Sequence, residues 1–141
     1  MAYATQNDIE KRYGAEAVLL AFDRNSDGSI DVDALSTALS DAEEEIDCYL
    51  SARYTLPLAS TPAIVTRLCA DIAMYRGSDT SDTLTEEKRT RYEDAVKFLK
   101  AVVDQKASLG LDDPAATHRE AYASASSGDR VFTRSNMEGL F

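Results

Sequence analysis

The densest run of potential ligand atoms in the chain is Asp23-Arg24-Asn25-Ser26-Asp27-Gly28-Ser29-Ile30-Asp31-Val32-Asp33-Ala34. Oxygen-bearing side chains stand at its first, third, fifth and ninth positions, with glycine at the sixth and isoleucine at the eighth. That is the spacing by which a loop of this length wraps calcium. The twelfth position, which would supply a two-oxygen carboxylate, is Ala34, and no second loop of this kind is present to pair with it. Asp, Asn, Gly and Ser also favour tight turns without metal, and Asp31 or Asp33 can cap a following helix by accepting its first backbone N–H bonds. A turn with a helix cap is therefore the expected role. Calcium held by Asp23, Asn25, Asp27 and Asp31, in a soluble regulatory helical module, is the alternative.

Other chemistry is sparse. The single histidine, His118, lies in a polar segment, and no glycine-rich phosphate loop, GxSxG or HExxH is present. Cys48 and Cys69 fall in expected helices and form no CxxC, so ordinary zinc ligation cannot be assembled and two reduced, partly buried thiols are expected. The carboxylates read as solvated helix faces. No enzyme activity and no cofactor are expected. One cation stands out: Arg53 interrupts an apolar stripe. Asp71, near the apolar face of another helix, is the best-placed carboxylate to meet it as a structural pair, with Arg67, four residues earlier, as the competing partner. Otherwise Arg53 fixes the elbow after its helix or extends to water.

The elements that position these residues follow from periodicity. At about 100° per residue, Leu35, Ala38, Leu39, Ala42, Ile46, Tyr49, Leu50 and Arg53 share one face of a helix over 31–53, while Asp41, Glu43, Glu44, Glu45 and Asp47 lie off it. This helix is expected to be the central spine. Before it, short helices are expected over 6–13, stopped by Gly14, and over 16–22, which is too apolar and short to stand alone. After it, Pro57 and Pro62 impose a stiff connector. Thr61 and Pro62 then open a helix to about Tyr75 carrying Ile64, Leu68 and Ile72 on one face, ended by Arg76-Gly77. A polar loop over 76–85 follows. Thr83 and Glu86 have capping-box spacing for a last helix to about Leu109, striped by Tyr92, Ala95, Val96, Leu99, Val102 and Val103, with Gly110 as its stop.

The expected fold is all-α: a small bundle of three main helices plus short N-terminal helices over 1–111, with an extended C-terminal tail over 112–141. Within that tail Arg130-Val131-Phe132-Thr133-Arg134 alternates polar and apolar residues, suited to a strand or hairpin laid on a partner. The 141 residues suit one domain, and no apolar run approaches the roughly 18 residues that would cross a bilayer, so a soluble protein made in a cytoplasm, with no membrane partner, is expected. Twenty-five acidic against 15 basic residues give a net charge of −10, which disfavours a broad nucleic-acid surface.

Several of these residues recur together in a known pattern. Ala42-x-x-x-Ile46-Asp47-x-Tyr49-Leu50-x-x-Arg53-Tyr54-x-Leu56-Pro57-Leu58, then Asp71-Ile72-Ala73-x-Tyr75, Arg91-Tyr92-x-x-Ala95-x-x-x-Leu99 and Phe132-Thr133-Arg134-x-x-Met137-x-Gly139, resemble the Mu-like prophage protein family of tailed bacteriophages. The resemblance spans nearly the whole chain, and the stretch over 46–58 is its most specific part. It implies a virion structural protein of the neck, a head-to-tail connector or head-completion adaptor assembled in the host bacterial cytoplasm. Such a protein docks beneath the portal protein as a homo-oligomeric ring matching the portal's twelve-fold symmetry, passes DNA through its channel without specific binding, and offers a surface to the next neck or tail-completion protein. Acidity suits a channel that DNA slides through. No single residue is assigned by the resemblance; Arg130, Phe132, Arg134 and Met137 are the expected docking residues, with Tyr54 and Leu56 at the subunit or elbow contact.

Overall fold

A computed structural model describes residues 2–78 and 83–112. Among them the regular structure is entirely helical: α1 (Gln6–Tyr13), α2 (Ala15–Phe22), α3 (Val32–Leu50), α4 (Ala63–Gly77) and α5 (Glu86–Val103). The tail residues expected to dock on a partner, Arg130, Phe132, Arg134 and Met137, lie outside the described residues.

Local chemistry sets most of the boundaries. Thr5 and Asp8 form a reciprocal capping box at α1, Thr5 N–H donating to Asp8 Oδ2 at 2.9 Å and Asp8 N–H to Thr5 Oγ1 at 3.4 Å. Gly14, at φ 88°, supplies the break between α1 and α2 that a side chain would resist. Asp31 caps α3, its Oδ1 accepting from Asp33 N–H at 3.1 Å and Ala34 N–H at 3.2 Å. Two expected boundaries shift. α3 ends at Leu50 and the chain tightens into a turn through Arg53. α5 is capped by Thr85, which accepts from Lys88 N–H, rather than by Thr83, and it ends at Val103; Gly110 then lies in the turns beyond it. Gln105, at φ 62°, carries the chain out of the helix where a glycine stop was expected.

The centre of the bundle is α4, not α3. Nine of the fifteen residues of α4 are buried, against six of nineteen in α3, and α4 packs on each of the other four helices. Its buried set includes Ala70, Ala73 and Met74 as well as Leu68 and Ile72, so most of its circumference is covered, with Arg67 and Arg76 left at the surface. Phe22, Ile46, Leu50, Leu99 and Val102 from the other helices are buried in the same core. Each large side chain so buried contributes about 1.5–3 kcal/mol. Gly77 permits the closest approach: a methyl group there would lie 2.2 Å from Phe22 Cζ.

Candidate functional site

The elbow after α3 is built around Arg53 and Tyr54. Arg53 Nη1 donates to the Val102 carbonyl at 2.7 Å and to the Ala107 carbonyl at 2.6 Å. Val102 lies in the last turn of α5, whose terminal carbonyls have no partner within the helix and carry partial negative charge. The guanidinium lies 5.4 Å from the Tyr54 ring centroid. Tyr54 is 5% exposed, and its hydroxyl oxygen accepts the Leu109 N–H at 3.3 Å. Arg53 and Tyr54 together hold the segment after α5 against the elbow. Tyr54 is thus a core residue at the elbow contact, one of the two places expected for it. Leu56 is half-buried against the core, and the peptide bond it makes with Pro57 is cis.

Asp71 pairs with Arg12, not with Arg53. Arg12 Nε and Nη2 reach the two carboxylate oxygens at 2.6 and 2.9 Å, and the Tyr13 hydroxyl donates to Asp71 Oδ1 at 2.7 Å. The expected pair fails because Asp71 faces α1 across α4, whereas Arg53 is drawn to the end of α5. Burial, and then the bond to Asp71, pushes the Tyr13 hydroxyl up to about 12. Arg91 of α5 lies 4.9 Å from the Tyr13 ring centroid, so this node joins α1, α4 and α5. Arg67, the competing partner, is exposed and takes no part.

A second node ties α3, α4 and α5. Glu45 accepts from the Tyr92 hydroxyl at 2.9 Å and from Arg76 Nη2 at 2.8 Å, and the Tyr75 and Tyr92 rings stack with centroids 4.2 Å apart and 8° between planes. The N-terminal strap is fastened to α3 by Tyr3, whose N–H donates to Glu43 at 3.0 Å and whose hydroxyl bonds Asp47. Burial, then the Asp47 bond, raises the Tyr3 hydroxyl above its ordinary range. Cys69, buried beside this strap, is pushed up to about 12, chiefly by burial, while Cys48 is exposed.

The acidic turn spends its oxygens on backbone amides. Asp23 accepts from Asp27 N–H at 3.1 Å and Gly28 N–H at 3.0 Å, and Asp27 Oδ1 accepts from Ser29 N–H at 2.9 Å and Ser29 Oγ at 2.7 Å. Asp31 caps α3, and Ala34, at the twelfth position, is 8% exposed within that helix. Among the described residues no group of three or more His, Cys, Asp and Glu side chains is placed to hold a metal ion. No helix among them is long and apolar enough to cross a membrane.

Two grooves frame the N-terminal region. An apolar one runs along Ala4, Val32, Leu35 and Leu39, where Val32 is 69% exposed. A basic one lies between α1 and α4, lined by Asp8, Lys11, Arg12, Ala63, Thr66, Arg67 and Ala70. Arg12 and Tyr13 escaped sequence reasoning, since nothing local links them to a carboxylate 59 and 58 positions away; the one available signal was that Arg12 and Tyr13 are neighbours at the end of a short amphipathic helix.

Comparison with known proteins places these features in a lineage. The family described as "Bacteriophage Mu, Gp36" matches residues 3–127. The chain is 34% identical over 139 residues to the Mu-like prophage FluMu protein gp36 of Haemophilus influenzae, covering 98% of this chain and 97% of that protein. It is 34% identical over 121 residues to gene product J of Escherichia phage Mu, covering 85% of this chain and 84% of that protein.

Proposed function

The chain belongs to the Bacteriophage Mu, Gp36 family, a family of Mu-like phage proteins, and from that premise we propose that it is a structural protein of the virion neck. In this reading it is not an enzyme. It is a head-to-tail connector that docks beneath the portal protein as a homo-oligomeric ring of twelve-fold symmetry and presents a surface to the next neck or tail-completion protein, with DNA passing through its channel unbound. The family match over 3–127 is the observation that carries it. The helical bundle supports it physically: a well-packed core under a surface of half-open grooves suits side-by-side assembly. Arg130, Phe132, Arg134 and Met137 are the proposed docking residues of the tail, and Leu56 the elbow residue nearest a neighbour.

The test is the composition and the morphology of particles. Virions purified from an induced lysogen are expected to contain this protein in about twelve copies each, at the neck, by quantitative mass spectrometry and electron microscopy. Deletion of the gene is expected to leave filled heads and free tails that do not join. Particles that lack the protein and are infective would overturn the reading.

A further inference from the structure

We propose that the basic groove between α1 and α4 receives the exposed acidic face of α3 from a second copy of the chain. This rests on the ring reading above and names the surfaces that would mate.

The groove has a volume of about 400 Å³, with Lys11, Arg12 and Arg67 around small residues, Ala63, Thr66 and Ala70. Its one carboxylate, Asp8, is turned into the α1 cap, accepting from Thr5 N–H at 2.9 Å and Thr5 Oγ1 at 2.7 Å. Arg12 is committed to Asp71. Lys11 and Arg67 are exposed and, among the described residues, make no side-chain hydrogen bond or ion pair. Acidic residues outnumber basic ones 25 to 15, and Arg76, Arg91 and Lys106 each find a carboxylate within the chain, which leaves Lys11 and Arg67 among the cations open to one from outside. A floor of alanine and threonine lets a helix approach closely, and Lys11 and Arg67 at its rim, the former already acting on Asp8 through space, favour an acidic one.

The chain carries such a helix face. Asp41 and Glu44 of α3 are both exposed, neither accepts a hydrogen bond among the described residues, and they lie off the face that carries buried Ala38, Ala42 and Ile46, Asp41 on the flank where it acts through space on Arg76. Three residues apart on a helix, they stand roughly 5–6 Å from one another and form one edge. Groove and edge belong to different faces: α4 turns Arg67 and Ala70 toward α1, and turns Arg76 toward Glu45 of α3. A contact between two different faces is head-to-tail, and such contacts repeat into rings when the rotation closes.

Two charge-reversed proteins test this in full-length form: Lys11→Glu with Arg67→Glu, and Asp41→Lys with Glu44→Lys. All four positions are exposed, and circular dichroism checks that each protein is folded. By sedimentation velocity the wild type is expected to associate with rising concentration. Each reversed protein sets like charges face to face and is expected to associate about tenfold more weakly or worse. Mixed in equal amounts, the two match at every contact, and association is expected to return. A wild type that stays monomeric at every concentration, reversed proteins that associate as the wild type does, or a mixture that fails to associate would each overturn the interface. So would retention of duplex DNA by the wild type that is lost on Lys11→Glu/Arg67→Glu with self-association unchanged. The two readings fail separately: particles containing the protein alongside a mixture that never associates remove only the interface, and particles lacking it alongside a restored mixture remove only the neck role.

Discussion

Arg12 on α1 grips both carboxylate oxygens of Asp71 on α4, at 2.6 and 2.9 Å, with the carboxylate 6% exposed and the guanidinium 32% exposed. The difference in exposure makes the pair asymmetric. Removing the arginine strands a buried charge that, among the described residues, keeps only the Tyr13 hydroxyl as a hydrogen-bond donor, whereas a guanidinium that loses its partner can turn to water. Arg12→Met is therefore expected to cost about 3 kcal/mol, and Asp71→Asn, which keeps an acceptor for Tyr13, about 1–2 kcal/mol. Urea denaturation of the two variants checks the order. A larger loss for Asp71→Asn would show that the pair is not what holds α1 to α4.

Gly77 and Phe22 give a second, purely steric expectation. The ring atoms Cζ and Cε1 lie 2.2 and 2.3 Å from where a methyl group on Gly77 would sit, and Phe22 is fully buried. Gly77→Ala is expected to destabilise by about 2–3 kcal/mol despite alanine's better helix propensity. Phe22→Leu shortens the ring side, so the double variant is expected to lose less than the sum of the two single losses. Strict additivity in a double-mutant cycle would place the strain elsewhere.

These two relationships mark the limit of what could be read from the residues. The five helices and the caps at Thr5 and Asp31 were legible because apolar spacing and capping chemistry are local. The centrality of α4 was not, because Ala70 and Ala73 carry little hydrophobic signal and are buried only through what surrounds them. Gly77 read as a stop because glycine so often ends helices, yet it lies in the last turn of α4 and serves packing. Arg53 was noticed as an odd cation, but its acceptors at Val102 and Ala107 are backbone carbonyls, which every residue has and no sequence advertises.

Arg53 at the elbow leads to a local expectation. Both bonds leave one nitrogen, Nη1, at 2.7 and 2.6 Å, and a lysine ammonium, on a shorter stem and without the planar group that lies beside the Tyr54 ring, does not reach the same point. Charge-assisted bonds of this kind contribute about 1.5–3 kcal/mol each. Arg53→Lys is expected to lower stability by about 1–2 kcal/mol, with amide exchange accelerating most over residues 104–109. Exchange that rises uniformly across all five helices would mean that Arg53 supports the whole core rather than the segment after α5.

Alkaline pH should weaken the fold in a defined window. Burial raises Cys69 from its ordinary 9.0 to about 12, and burial with the Asp71 bond raises Tyr13 from 10.0 to about 12. The folded chain holds both protons where the unfolded chain has released them, so their contribution is complete below pH 9 and is lost as pH climbs toward 12. Tm is expected to fall progressively across that range. Cys69→Ala removes the first part of the slope and leaves the part that begins near Tyr13's ordinary value. A Cys69→Ala protein whose Tm falls as steeply from pH 9 onward would refute the assignment to this thiol.

The calcium-regulated module stands or falls on the acidic turn. A calcium ion seated on Asp23, Asn25, Asp27 and Asp31 would have to displace the bonds that Asp23 makes to the Asp27 and Gly28 amides, that Asp27 makes to Ser29, and that Asp31 makes at the start of α3. In return the twelfth position offers no carboxylate, since Ala34 is packed into the helix at 8% exposure. Losing the Asp31 cap alone costs about 1 kcal/mol, so weak coordination would be offset by the helix it frays. Millimolar calcium is therefore expected to shift Tm no more than magnesium at equal ionic strength. Ala34→Glu is expected to lower Tm, because it forces a charge into a buried site before any ligand can form. A saturable rise in Tm at micromolar calcium, abolished by Asp27→Asn, would reverse the choice and make the turn a regulatory site.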